Sequence, residues 1–431
     1  MKILFISESP INNQMSIGNT FLNIFSNMED VELSSIYTRR GYPDLRYIKN
    51  AFQISEIGLI KSILSRKYKG KLIVGNDISD NDDRLKDTKA EAFAKKYSSD
   101  FLHIIKNILW KFSPWKKSGI KEYIESVNPD IIFSLFSADT EVNDLILYAK
   151  KNSNAKLILY AWDDHYSYYK YSFNVINFIR KFINRRKMRR VFGQTQKMYV
   201  ISQLQKEDYE KAFNSKLSIL MKGAEFKEIP LIRNENKEIL QIVYTGNLGC
   251  GRWETLAMTA KAVSRINSDG IKLQMKIYSG TPITDKMKKS LSIEGSSFFM
   301  GNVPSSEIYG IQEGADILVH VESFSPENKF KVRQSFSTKI VDYLAMAKCI
   351  LAVGPDDVAS IDYLAKNDAA LVATAEDEIY KVLNKIIENR SILDEYGKKA
   401  WECGKRNHQI EKIQNDLYCD FKEILNESNT D

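Results

Sequence analysis

YTGNLGCGR, residues 244–252, joins a β-branched and aromatic run to three glycines and a cation, and helical periodicity follows Arg252. Such a strand, tight turn and helix N-terminus is the unit of a parallel sheet. Small residues let a backbone approach a ligand closely, and helix-opening amides attract phosphate. Gly246, Asn247, Gly249 and Arg252 are therefore candidate ligand contacts. Gly246, Gly249 and Gly251 do not form GxGxxG, and a ligand-free turn would also favour glycine.

Outward from that turn, short apolar runs alternate with longer amphipathic ones. The best strands are residues 2–8, 31–38, 130–137, 156–162, 197–203 and 216–223 in the first half, and 240–247, 273–280, 298–303, 316–323, 349–354 and 369–374 in the second. This is the pattern of two α/β domains, each a doubly wound parallel sheet. A chain of 431 residues has room for both. Residues 225–238, polar and containing Pro230, lack either periodicity and read as the linker. Ligands in open parallel sheets sit beyond the carboxyl ends of the strands, so the site is expected there, in a cleft between the two sheets.

Composition narrows the classes. Hydrophobic residues make up 43% and charged residues 27%, as in ordinary globular proteins. No run is apolar for long enough to span a membrane, and the opening MKILFIS reads as a first strand rather than a leader. Four cysteines without CxxC pairing and four scattered histidines indicate neither a disulfide framework nor structural zinc, which fits a cytoplasmic compartment. Residues 1–228 hold 37 basic against 26 acidic side chains, a net +11, while the remainder is −4. The first half is expected to face something anionic, unless its lysines only solvate the surface.

The second constellation is SFSTKIVDYLAMAKCILAVG, residues 335–354, a loop, a capped helix and a buried strand. Ser337 or Thr338 is the expected N-cap. Lys339 and Asp342 lie one helical turn apart, so a phosphate-binding cation and a ribose-binding carboxylate share a face, or else form a surface ion pair.

These segments, with GNV at 301–303 and ADILVHVESF at 315–324, resemble the retaining glycosyltransferases of family 4, particularly bacterial capsule and surface-polysaccharide enzymes. The resemblance spans most of the chain. It implies the GT-B fold, two doubly wound, Rossmann-like parallel-sheet domains facing across a cleft. Residues 1–228 would be the acceptor side, 229–404 would bind the nucleotide sugar, and 405–431 would form a C-terminal helix packing back on the first domain. It implies transfer from a UDP- or GDP-sugar to a lipid-linked or glycan acceptor, with no cofactor and no metal. Arg252 and Lys339 would embrace the donor diphosphate and Asp342 the ribose hydroxyls. The family has two glutamates seven residues apart; here the second position is Asp342 and the first falls on Gln334. Either Glu322, at the end of the DILVHVE run, supplies the missing carboxylate, or Gln334 acts as a neutral ligand. His320 is a further candidate for the sugar hydroxyls, although a buried strand histidine is usually satisfied core.

In the first half, the run KLILYAW ends in Asp163, Asp164 and His165. Asp163 and then His165 are candidates to stabilise an oxocarbenium-like transition state or orient an acceptor hydroxyl, against a solvated loop. The loop at residues 10–18 is polar and ends in Gly18, whose family counterpart closes over donor phosphates or acceptor; an N-cap at Ser16 or Asn19 explains the same residues without a ligand. Asp80-Asn-Asp82 matches a DxD metal motif but sits in a charged, solvated run.

Residues 176–190, INFIRKFINRRKMRR, place Ile176, Ile179 and Ile183 on one helical face among seven Lys or Arg, as in a helix lying on an anionic membrane. Residues 101–117, with Trp110, Trp115, Lys116 and Lys117, are a second segment of this kind. A core-facing stripe with a solvated basic back gives the same pattern. Three other classes share parts of this pattern: a nucleotide-sugar epimerase or hydrolase, a catalytically degenerate binding protein, and nucleic-acid binding. The last is disfavoured because aromatic residues are not interleaved with the basic ones.

Overall fold

The computed structural model describes residues 1–13, 16–55, 58–59, 68–75, 107–108, 110–167, 175–228 and 237–427, with nothing stated for the side chains of Ser16, Val175, Ile176 and Asn177. The Asp80-Asn-Asp82 run, Pro230 and the centre of the expected linker lie outside the described residues. Two sheets organise the chain. The first contains β1 (Lys2–Ser7), β2 (Glu32–Tyr37), β3 (Ile48–Gln53), β4 (Lys71–Val74), β5 (Ile131–Leu135), β6 (Lys156–Ala161), β7 (Thr195–Val200) and β8 (Ser218–Ile219). The second contains β9 (Leu240–Thr245), β10 (Leu273–Tyr278), β11 (Ser297–Gly301), β12 (Ile317–Val321), β13 (Cys349–Val353) and β14 (Leu371–Ala373).

The first sheet runs β4-β3-β2-β1-β5-β6-β7-β8 and the second β11-β10-β9-β12-β13-β14. Among the described strands every pairing is parallel except β3 with β4. Both are doubly wound α/β sheets, as expected. All twelve expected strands form. The two that were not expected are β3, whose IKNAFQ mixes polar with apolar residues, and the antiparallel edge β4, where Leu72 and Val74 are exposed. The inner strands are apolar on both faces because helices cover both sides of a parallel sheet; β5, β12 and β13 are buried throughout.

Contacts divide the chain into two units: Met1–Ile201 with Asp208–Leu220 and Gln414–Asp431, and Ser202–Glu207 with Met221–Ile413. In the first unit Phe5, Phe21, Phe25 and Phe133 interlock with ring centroids 5.0 to 6.4 Å apart. Phe421, from the helix Ile410–Asn426, joins this cluster at 6.2 Å from Phe25 and 6.1 Å from Phe133. Asp420 on the same helix accepts hydrogen bonds from Tyr199 Oη and Lys197 Nζ. The last described helix thus completes the first unit's core.

Trp110 and Trp115 correct one expectation. Both are buried and stack at 5.1 Å, so among the described residues of 101–117 the tryptophans belong to the core and not to a membrane-facing surface. The helix Val175–Phe192 behaves oppositely. Phe178, Ile179, Phe182 and Ile183 are 70%, 52%, 62% and 55% exposed, whereas Met188 and Val191 face the core. Among the described residues no helix is long and apolar enough to cross a membrane.

Candidate functional site

Strand order reverses between β9 and β12 in the second sheet, where neighbouring crossovers leave on opposite faces and open a crevice at the carboxyl ends. The turn after β9 lies at that point. Cys250 and Gly251 both take positive φ, 53° and 74°, and the helix Arg252–Ile266 starts directly afterwards. Gly251 stands against Ser323 Oγ and Asn328 Nδ2, so any side chain there collides with both. Gly246 is equally constrained: a Cβ would fall 2.6 Å from Lys339 Nζ and 2.8 Å from Tyr244 Oη. The glycines serve close approach, and one of the groups approached is the predicted lysine. Asn247 is tied into the turn, its Oδ1 accepting from Gly249 N and its carbonyl from Tyr244 Oη.

Arg252 turns back to β12. Its Nε and Nη2 donate to Glu322 Oε2 and Oε1 at 3.0 and 2.9 Å, a bidentate pair whose carboxylate is 2% exposed. Burial raises the Glu322 carboxyl, against the opposing pull of Arg252. Both Glu322 oxygens are engaged by Arg252, which fixes the plane of the guanidinium. Its Nη1 makes no hydrogen bond among the described residues. His320 proves to be the satisfied core histidine of the two readings. It is buried, Nε2 lies 2.9 Å from Ser360 Oγ, and burial, followed by the charges of Arg252 and Lys339, lowers it to about 3, so the ring is neutral.

Lys339 opens the short helix Lys339–Ala345. Its ammonium has no hydrogen-bond or ion-pair partner among the described residues. Burial, and then the neighbouring charge of Arg252, lower it to about 8 despite Asp342 and Glu322. Asp342 does not pair with Lys339 as the i, i+3 alternative required; Lys222 Nζ takes its Oδ1 at 2.6 Å. Lys222 lies 120 residues away and carries no local signal. Thr338 occupies the expected N-cap position, but its side chain makes no cap bond. Gln334 is buried in the loop before this helix, and its carbonyl accepts from Ser202 Oγ at 2.6 Å.

The candidates of the first half gather around the matching reversal between β1 and β5. His165 and Gly18 line one pocket with Glu8, Arg39, Asp139 and Trp162. Gly18 is required locally, because a Cβ would collide with the Asn12 backbone. Asp163 does not line this pocket; its Oδ1 accepts from Asp164 N at 2.9 Å. Asp164 is a structural residue, receiving Ser167 N at 2.8 Å and Tyr209 Oη at 3.0 Å.

No protein-family model matches the sequence, and no curated protein matches it. Solved structures do. Anabaena HepE, crystallised with UDP and glucose, is 11% identical, with 98% of this chain and 100% of that chain covered at a TM-score of 0.61. Sucrose-phosphate synthase from Thermosynechococcus elongatus gives 11%, 98% of both chains and 0.62. A variant of S. aureus TarM, in complex with UDP, α-GlcNAc-glycerol and fondaparinux, gives 11%, 97% and 99%, and 0.60. At such identities the likeness is one of fold, and the fold is GT-B.

Proposed function

We propose that the protein is a retaining glycosyltransferase that moves a sugar from a UDP- or GDP-sugar to a lipid-linked or polysaccharide acceptor in bacterial surface-glycan synthesis. The observation that carries this reading is the Lys339 ammonium. It is drawn out of water beside Gly246, pressed by the charge of Arg252 and left without a counter-ion among the described residues. A buried cation in that state favours an anion. A diphosphate lying over Gly246 would meet Lys339 and the open Nη1 edge of Arg252, while Asp342, held by Lys222, would accept the ribose hydroxyls. HepE, crystallised with UDP and with UDP-glucose, supports the choice of donor.

In the transfer, the bond between the anomeric carbon and the diphosphate oxygen breaks, and the acceptor oxygen bonds to the same face of the sugar. The acceptor proton passes to the released diphosphate. Charge develops on the leaving phosphate, so fixed cations stabilise the transition state more than the ground state and take the place of a metal. His165 and Asp163 would serve the acceptor side, and Glu322 would act by holding Arg252 in place.

The test is thermal denaturation with UDP, GDP, CDP and ADP. A nucleotide at a hundred times its dissociation constant adds about 2.7 kcal/mol, and Lys339→Ala or Arg252→Ala should abolish that gain. A gain retained in both variants refutes the site. Release of nucleotide from the matching nucleotide sugar only when acceptor glycolipid is added separates transfer from epimerase or hydrolase chemistry.

We place the protein peripherally on the inner face of the cell membrane, through the helix Val175–Phe192. Four large apolar side chains exposed beside seven basic residues fit an anionic lipid surface. Flotation with vesicles containing anionic lipid should retain the protein, and a Phe178→Ser/Phe182→Ser pair should release it. Equal flotation of that variant refutes the contact.

A further inference from the structure

Among the described residues Lys222 is the only side chain that hydrogen-bonds Asp342, reaching Oδ1 at 2.6 Å, while Oδ2 makes no hydrogen bond there. The lysine stem is largely buried, so the course of the main chain at residue 222 decides where the ammonium arrives. Residues 222–224 lie beyond β8 and are gripped at the corner between the helices Ser391–His408 and Ile410–Asn426. Ala224 N donates to the His408 carbonyl at 2.9 Å, and Ile410 N to the Ala224 carbonyl at 3.0 Å. Gly223 permits this approach, because a Cβ there would fall 2.8 Å from Ile410 Cα. All of these residues belong to the second unit.

The side chain of His408 completes the grip. It is fully buried, with Nδ1 3.2 Å from the Lys222 carbonyl oxygen and Nε2 2.8 Å from Tyr363 Oη. A carbonyl can only accept, so Nδ1 carries the hydrogen. Burial keeps the ring neutral, so Nε2 accepts from the Tyr363 hydroxyl. The tyrosine oxygen in turn receives Asn407 Nδ2 at 3.0 Å. The donors therefore run one way, from Asn407 through Tyr363 and His408 to the Lys222 carbonyl. Phe336, in the loop that leads to Lys339, stacks on the imidazole with centroids 6.0 Å apart and planes at 21°. One buried ring thus touches both the segment that carries Lys222 and the loop before the helix of Asp342.

We propose that His408 is a positioning residue of the nucleotide site: its Nδ1–H fixes the main chain at Lys222, Lys222 fixes Asp342, and Oδ2 is thereby aimed at a ribose hydroxyl. That the hydroxyl belongs to a nucleotide's ribose rests on the glycosyl-transfer reading; that His408 sets Lys222 and Asp342 does not.

Calorimetric titration of the full chain with UDP and GDP, their 2′-deoxy and 3′-deoxy forms and inorganic pyrophosphate tests this. In the native chain one deoxy form should bind at least about tenfold more weakly than its parent, the value of a hydrogen bond to a charged acceptor. His408→Asn keeps a donor at the Nδ1 position and should preserve that ratio. His408→Gln reaches Tyr363 but leaves no donor beside the Lys222 carbonyl, and should shrink the ratio to about threefold, half of the same free energy. Both variants lose buried contacts, so a histidine of purely structural role would affect them alike. Pyrophosphate, which meets Arg252 and Lys339 but not Asp342, should bind the three proteins equally. In a Lys222→Met background the ratio is already lost, and His408→Gln should not change it further. Should His408→Gln fail to fold, Tyr363→Phe replaces it: it removes the hydroxyl that orients the ring and should shrink the ratio in the same direction. An unmoved ratio in folded His408→Gln or Tyr363→Phe, an equal fall in His408→Asn and His408→Gln, or a native chain that binds nucleotide without telling either deoxy form from its parent overturns the proposal. Binding of neither nucleotide by the native chain refutes the donor reading and the role of His408 with it; nucleotide binding with an unmoved ratio refutes the role of His408 alone.

Discussion

On the proposed site, Lys339 should make the affinity for a nucleoside diphosphate depend on pH. Burial and Arg252 hold its ammonium at about 8 in the free protein. A diphosphate beside it favours the charged form, so binding takes up a proton wherever the free lysine is partly neutral. About nine in ten molecules are charged at pH 7 and about one in ten at pH 9. The apparent dissociation constant divides by the competent fraction, so UDP should bind about tenfold more weakly at pH 9 than at pH 7. Below pH 7 the lysine no longer contributes a slope, and a phosphate terminus itself titrates near ~6, so the window from pH 7.5 to 9.5 isolates the lysine. Isothermal titration calorimetry in buffers of different ionisation enthalpy should count about half a proton taken up at pH 8. Lys339→Arg stays charged throughout and should bind UDP with a flat profile. Affinity independent of pH between 7.5 and 9.5 in the native chain, or the native slope surviving in Lys339→Arg, refutes the assignment. The sign for stability is the reverse. The unfolded lysine holds its proton up to its ordinary 10.5, so between about 8 and 10.5 the unfolded state binds more protons and stability rises with pH. Lys339→Met should therefore stabilise the ligand-free protein at pH 7, by at most ~3 kcal/mol, and lose that advantage toward pH 10.

Three further outcomes follow from the same geometry. Glu322→Gln breaks a buried bidentate pair and should cost about 3 kcal/mol or more of stability in urea denaturation, together with most of the UDP affinity. Gly251→Ala puts a side chain at φ 74° against Ser323 and Asn328, and should lower stability by about 1–3 kcal/mol; an unchanged denaturation midpoint would show the turn to be less constrained than it looks. His408, kept neutral by burial at about 4 and bonded to Tyr363 Oη at 2.8 Å, is protonated below about 6.5 when unfolded, so stability falls as pH drops from about 6.5 to 4. His408→Gln should flatten that part of the urea-midpoint profile against pH, and an equally steep profile would move the acid sensitivity elsewhere.

Periodicity alone determined the doubly wound architecture, because buried parallel strands are written as continuous apolar runs and their crossover helices as amphipathic ones. The turn at residues 244–252 was legible for the same reason: strand end, glycines, cation and helix start are local events. β3 was not legible, since its polar residues break the apolar run, and β4 is an exposed edge. The partners at the site belong to the tertiary structure. That Arg252 is held by Glu322, that Asp342 turns to Lys222 and not to Lys339, and that Lys339 has no ion-pair partner among the described residues are outcomes of distances between residues up to 120 positions apart. Two helical faces alike in composition were likewise separated only by packing, which buried Trp110 and Trp115 and left Phe178 and Phe182 exposed. Backbone preference and hydrophobic pattern act within a few residues and can be read along a chain. Ion pairing and burial depend on what folding brings alongside, and the order of residues does not contain that geometry until the sheets have formed.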